Sequence, residues 1–112
     1  MQIPVDEVNH LAVAVVPADE LDASNVADFK NAIAPILQAH TEVILDLSRL
    51  RFVDSSGMGA ILSCLRQLTA KGGELKLCGM TKQVRAIFEL VRMHRIFDIY
   101  ATPQEAVHAL AH

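Results

Sequence analysis

A chain of 112 residues has the length of one domain of about 100–150 residues and can bury roughly two thirds of its unfolded surface, so it needs no disulfide or metal staple. Apolar residues make up 52% and aromatics 4%, which leaves the core to Leu, Ile, Val and Ala, a mixture suited to a sheet packed on helices. The 10 basic and 13 acidic residues give a net charge of −3, which supplies no basic patch for nucleic acid.

Val5–Val8 and Leu11–Val16 read as two short strands joined at Asn9-His10, because Asn tolerates the left-handed turn conformation. After the polar stretch Asp19–Asn25, the residues Val26, Phe29, Ile33, Ile36 and Leu37 recur at helical spacing, with Ser24 or Asp22 as candidate cap. Pro35 falls inside this helix and is expected to kink it or end its regular part early.

Val43–Leu47 reads as a strand with apolar residues on both faces, as a central parallel strand has. Asp54-Ser55-Ser56-Gly57 then leads into a second helix striped by Met58, Ile61, Leu62, Leu65 and Leu68 and stopped by Gly72-Gly73. Glu74–Cys78 forms the next strand. Val84, Ile87, Phe88 and Val91 mark a third helix capped near Thr81, Ile96–Tyr100 a last short strand, and Pro103 opens a C-terminal helix. The order ββαβαβαβα predicts an α/β chain, one domain over residues 1–112, with about five mostly parallel strands and about four covering helices. The opening hairpin supplies an antiparallel edge strand.

Cys64 and Cys78 are too few and too far apart for a disulfide framework or a zinc site, and read as buried thiols of a reducing compartment. The first seven residues lack the pattern of a secretory signal, and the longest apolar stretch, Leu11–Ala18, falls short of the roughly 18 residues of a membrane span. These features predict a soluble cytoplasmic protein with no membrane insertion. His10, His40, His94, His108 and His112 show no metal-ligand spacing. Lys82, Arg85, Arg92 and Arg95 give the third helix a basic, solvated side, and Asp19-Glu20-Leu21-Asp22 reads by itself as a solvated acidic turn.

The most informative stretch is Phe52-Val53-Asp54-Ser55-Ser56-Gly57-Met58-Gly59, between a buried strand and a helix. Its hydroxyls sit at a helix N-terminus, where free N–H groups and the dipole favour negative charge. A phosphate on Ser55 would suit the helix yet stand near Asp54 and Asp22 as like charges. Gly57 and Gly59 remove side chains around the hydroxyls, which would let a partner approach. Standing alone, the same run is also what a simple helix cap looks like.

Catalysis finds little support. Asp54 directly precedes the serine pair, which is not a G-x-S-x-G elbow, and there is neither a P-loop nor a G-x-G-x-x-G. Asp46 is alone on its strand, so an aspartyl phosphoacceptor is poorly served. Nucleotide binding would rest on the helix N-terminus alone.

Val43–Leu47, then Leu50-x-Phe52-Val53-Asp54-Ser55-Ser56-Gly57-Met58-Gly59, then Gly72-Gly73-Glu74-Leu75, closely resemble the STAS domain of bacterial anti-sigma-factor antagonists over nearly the whole chain. Glu20-Leu21-Asp22 falls where that family carries a Gly-Glu-Leu-Asp turn. The resemblance implies a STAS fold and a partner-switching regulator, not an enzyme, with no cofactor or metal of its own. In such a cycle the unmodified antagonist binds an anti-sigma factor that is also a serine kinase of the histidine-kinase-like ATPase fold. That kinase, using ATP and magnesium, phosphorylates the first serine of the motif and is released; a serine phosphatase resets the switch.

Carried over here, the resemblance makes Ser55 the phosphorylated residue and Ser56 its neighbour or a weaker acceptor. Asp22 and Asp54 flank the site and position the hydroxyl, and Gly57, Met58 and Gly59 form part of the docking surface. A scaffold or subunit role in a stress-signalling assembly or a transporter system is the alternative; the intact Asp54-Ser55-Ser56-Gly57 motif favours the switch. The chain departs from the family pattern at Asp19, in place of the turn glycine, and at Val91-Arg92-Met93-His94, in place of a Ser-Gly or Thr-Gly pair. Both differences bear on the partner more than on the fold.

Overall fold

The computed structural model describes residues 1–110. Strands β1 (Val5–Val8) and β2 (Leu11–Val15) form the antiparallel opening hairpin. Asn9 and His10 turn it with φ of 52° and 72°, the left-handed pair that a two-residue hairpin of this twist requires. The chain continues through β3 (Glu20–Leu21), α1 (Val26–Ala39), β4 (Glu42–Asp46), β5 (Phe52–Val53) and α2 (Ser55–Ala70). It ends with β6 (Glu74–Cys78), α3 (Lys82–Leu90), a 3-10 turn at Met93–Arg95, β7 (Asp98–Tyr100) and α4 (Pro103–Leu110).

The main sheet has the order β1-β2-β4-β6-β7, and every pairing after the hairpin is parallel. This is the expected α/β architecture, with five strands in the main sheet and four α-helices among the described residues; the two short strands β3 and β5, which the sequence did not announce, pair with each other apart from it. Ala12 and Ala14 of β2, Val43 and Leu45 of β4, and Leu75 and Leu77 of β6 face a core closed by Phe29, Ile33 and Leu37 of α1, Ile61, Cys64 and Leu68 of α2, and Val84 and Phe88 of α3. The opposite face packs Leu11, Ile44 and Cys78 under Ala106 and Leu110 of α4. Buried on both faces, β4 is the apolar central strand that its composition indicates. Both cysteines are buried and unpaired.

One charge is taken inside. Lys76 is buried on β6, with its ammonium 2.5 Å from Asp98 and 3.3 Å from Glu74. Burial disfavours that charge, but the two carboxylates outweigh it and hold its pKa above the usual lysine value.

Four local expectations need correction. Neither Ser24 nor Asp22 caps α1; Asn25 holds that position, and its side chain instead accepts from the Asp22 amide and donates to the Glu20 carbonyl. Pro35 does not end α1 early: the helix runs on to Ala39, because Pro35 and Asn31, whose carbonyl loses its partner, are both exposed to water. The last strand is shorter than Ile96–Tyr100, since the chain first makes the 3-10 turn at Met93–Arg95. Arg92 and Arg95 therefore lie beyond α3 and not on its side, although both are exposed, as are Lys82 and Arg85.

No helix among the described residues is long and apolar enough to cross a membrane. His112 lies outside the described residues.

Candidate functional site

Helix α2 begins at Ser55 because Asp54 stops the extended chain and caps it. The Asp54 backbone is extended (φ −94°, ψ −173°), and its Oδ1 accepts from the Gly57 amide at 2.9 Å. Its Oδ2 accepts from the Ala23 amide at 3.1 Å, so one carboxylate joins the start of α2 to the loop before α1. With both Asp54 oxygens engaged, Ser55 and Ser56 occupy the first two helical positions, exposed. Their amides find no acceptor among the described residues, so the helix end keeps its appetite for an anion.

The loop beside them is set by strands too short to read from periodicity. Glu20 pairs with Phe52 and Leu21 with Val53 in a separate two-stranded parallel sheet. One step further along the two strands come Asp22 and Asp54. Leu21 is fully buried in the main core, whereas Asp19 and Glu20 are exposed and Asp22 is half-buried, so the acidic side chains of the run are solvated as expected and only Leu21 anchors it as a strand end. The apolar residue in the middle of that acidic run was the signal for it.

Asp22 is thereby brought near the serine pair, but its carboxylate is occupied otherwise. Oδ1 accepts from the Ser24 hydroxyl at 2.5 Å and the Ser24 amide at 3.0 Å. The Ser24 hydroxyl, followed by its amide, holds the Asp22 carboxyl below the usual range. Asp22 is expected to flank the site and help position the Ser55 hydroxyl; among the described residues its carboxylate bonds Ser24 and makes no hydrogen bond to Ser55.

The glycines divide in role. Gly57 is buried under β3, where an added Cβ would stand 2.2 Å from the Leu21 carbonyl oxygen and 2.7 Å from Val53 Cγ2. The space that Gly57 makes is filled by its own chain and not left for a partner. Gly59 is exposed, with nothing within 4 Å of a Cβ. Met58 is 6% exposed and mostly core. Its visible part lines a cleft of about 360 Å³ with Val53, Ser55, Gly59, Ile87, Val91 and Met93. Sequence reasoning placed Ile87 and Val91 only on a helix stripe and missed this cleft.

The two departures noted in the sequence have opposite outcomes. Asp19 has no positive φ and therefore takes the glycine position without backbone strain. Arg92 has φ 61° and ψ 20°, a left-handed conformation in the segment where the resembling family often carries glycine.

Comparison with known proteins gives a consistent picture. The family model described as STAS domain matches residues 3–106. The anti-sigma-B factor antagonist of Bacillus subtilis is 24% identical over 108 residues, covering 96% of this chain and 99% of that protein. The anti-sigma factor antagonist SpoIIAA in its unphosphorylated form superposes with a TM-score of 0.70 at 26% identity, covering 96% of each chain. SpoIIAA from Bacillus in its phosphorylated form superposes with a TM-score of 0.72 at 27% identity, covering 97% of this chain and 99% of that one.

Proposed function

This chain belongs to the STAS domain family, and we propose that it acts as an anti-sigma factor antagonist whose binding is switched by phosphorylation of Ser55. The observation that carries the reading is the exposed Ser55 at the first position of α2, beside a capping Asp54 whose two oxygens are already committed. The hydroxyl is thus presented at a helix start and not consumed as a cap. Similarity to antagonists over nearly the full length of both chains supports the same role.

The partner is an anti-sigma factor that is also a serine kinase of the histidine-kinase-like ATPase fold, bringing its own ATP and magnesium. It binds the unmodified surface formed by Ser55, Ser56, Gly59 and the visible part of Met58, with Asp22 and Asp54 at the border. Transfer of the γ-phosphoryl group to Ser55 Oγ releases ADP and the hydroxyl proton. The product carries about −1.5 to −2 charges at neutral pH. The free Ser55 and Ser56 amides and the α2 dipole suit that charge, so the fold scarcely changes. A docked partner meets it as an unpaired, desolvated charge next to Asp54. A loss of about 3 kcal/mol then lowers affinity more than a hundredfold. A serine phosphatase restores the hydroxyl, and Ser56 is a neighbour or weaker acceptor.

The test is intact mass and peptide mapping of the protein purified from its own host, beside a Ser55→Ala variant. One added phosphate of about 80 Da, mapped to Ser55 and lost in the variant, is the expected result. Absence of phosphate through growth, stress and stationary phase, or a phosphate elsewhere, would overturn the switch in favour of a scaffold or subunit role.

A further inference from the structure

We propose that the cleft between the start of α2 and the corner after α3 is the partner-selecting half of the docking face, and that it takes an aliphatic side chain of the kinase carried next to an acidic residue. This rests on the reading of Ser55 as the switch and adds to it what the partner must present.

The first argument is continuity. Ser55 itself lines the cleft, so a protein that reaches the Ser55 hydroxyl also covers Met58, Ile87, Val91 and Met93. The second is composition. Ile87 and Leu90 are i, i+3 neighbours on α3 and Val91 caps its end; Ile87 and Val91 line the cleft, Leu90 lies next to them outside the lining, and Leu90 is 84% and Val91 54% exposed. Scattered apolar side chains on a surface need no explanation, but these adjoin a depression floored by apolar atoms beside a proposed modification site. Met58 and Met93 flank it, and methionine adapts its shape to an incoming side chain.

The third argument is charge. One border of the cleft is acidic, with Asp54 on its rim and Glu20 and Asp22 beyond. At the opposite border the corner carries exposed Arg92 and Arg95, and among the described residues neither is tied in an ion pair. Arg85 is instead held by Glu89 at 3.6 Å. A complementary partner places an acidic residue by Arg92 and Arg95 and its aliphatic side chain between the two borders. The fourth argument is backbone geometry: Arg92 sits in the left-handed conformation between Val91 and Met93, both of which line the cleft, so the corner turns sharply at its border.

The experiment uses the full chain and each purified host kinase of the histidine-kinase-like ATPase fold, bound to ADP, in isothermal titration. Val91→Asp, Leu90→Asp and Arg92→Glu are compared with wild type, Ser55→Glu and the conservative Val91→Ile. Thermal unfolding of each checks that these exposed positions leave the fold intact. For the kinase that binds wild type but not Ser55→Glu, Val91→Asp and Leu90→Asp are expected to weaken binding at least tenfold. Arg92→Glu should weaken it several-fold, with a deficit that shrinks as salt rises, and Val91→Ile should bind normally. Affinities within twofold of wild type for the three charge variants, while Ser55→Glu still abolishes binding, would overturn the selecting cleft and leave the switch standing. A kinase that binds wild type and Ser55→Glu alike would overturn the switch itself, and the cleft proposal with it.

Discussion

The α-carbon of Gly57 lies directly beneath the carbonyl of Leu21, so close that a methyl group on it would stand 2.2 Å from the oxygen. The contact locks the first turn of α2 against β3, and it separates two glycines that look alike in the sequence. Gly57→Ala should destabilise the protein by about 3 kcal/mol, since the obstacle is backbone and cannot swing away. Gly59→Ala adds a methyl group to an open helical surface and should stabilise by about 0.5–1 kcal/mol. Urea denaturation of the two variants checks both signs; equal effects would mean that the close approach at Gly57 is relieved at no cost.

Asp54 ties two elements, so its removal costs more than a lone cap. Asp54→Ala should lose about 2 kcal/mol, the upper end for a cap. It should also loosen Asp22–Asn25, because the Ala23 amide loses its acceptor. Amide hydrogen exchange at Ala23 and Gly57 reads the effect residue by residue, and both should exchange faster by tenfold or more.

Burial pushes the thiols of Cys64 and Cys78 up to about 12. In the unfolded chain they ionise near 9.0. Between these values the unfolded state gives up protons that the folded state keeps, so stability must fall as pH rises from about 9 to 12. At pH 11 the deficit is about 2–3 kcal/mol for each thiol. Lys76 acts in the same direction: its raised pKa contributes stability that is full below the ordinary lysine value and lost as pH climbs through the folded one. Urea midpoints at pH 8 and pH 11 measure the fall, which should be shallower in a Cys64→Ala, Cys78→Ala double variant. At pH 8 neither thiol should react with a thiol reagent until the chain unfolds.

Arg92→Gly relieves a left-handed residue worth about 1–2 kcal/mol but adds about 0.5–1 kcal/mol of unfolded-state freedom. A net gain of about 0.5–1 kcal/mol is expected, near 2–4 °C in thermal midpoint. A lowered midpoint would show that the Arg92 side chain contributes more to the fold than its backbone costs.

Periodicity carried the larger part of the fold. Val43–Leu47, Glu74–Cys78 and the stripes beginning at Met58 and Val84 are long enough for apolar spacing to declare strand or helix. The two-residue strands β3 and β5 are not: two residues have no period, and only the buried Leu21 within an acidic run betrays the first. The Asp54 cap and the placement of Ser55 at a helix start were legible because capping chemistry is local. The burial of Gly57, the engagement of Asp22 by Ser24 and the cleft at Met58 depend on contacts between distant segments, which no local pattern encodes.

Glu20–Leu21 and Phe52–Val53 make a sheet with only two paired positions, separate from the five-stranded one. So small a ladder has little cooperativity of its own, and what holds it is the anchoring of Leu21 and Val53 in the main core. The serine-bearing corner is therefore a candidate for sub-global opening, a unit that can loosen and reclose while the large sheet stays intact. Substitutions at Leu21, remote from the serines in sequence, should set the opening frequency of that corner and with it how long Ser55 is held in one pose.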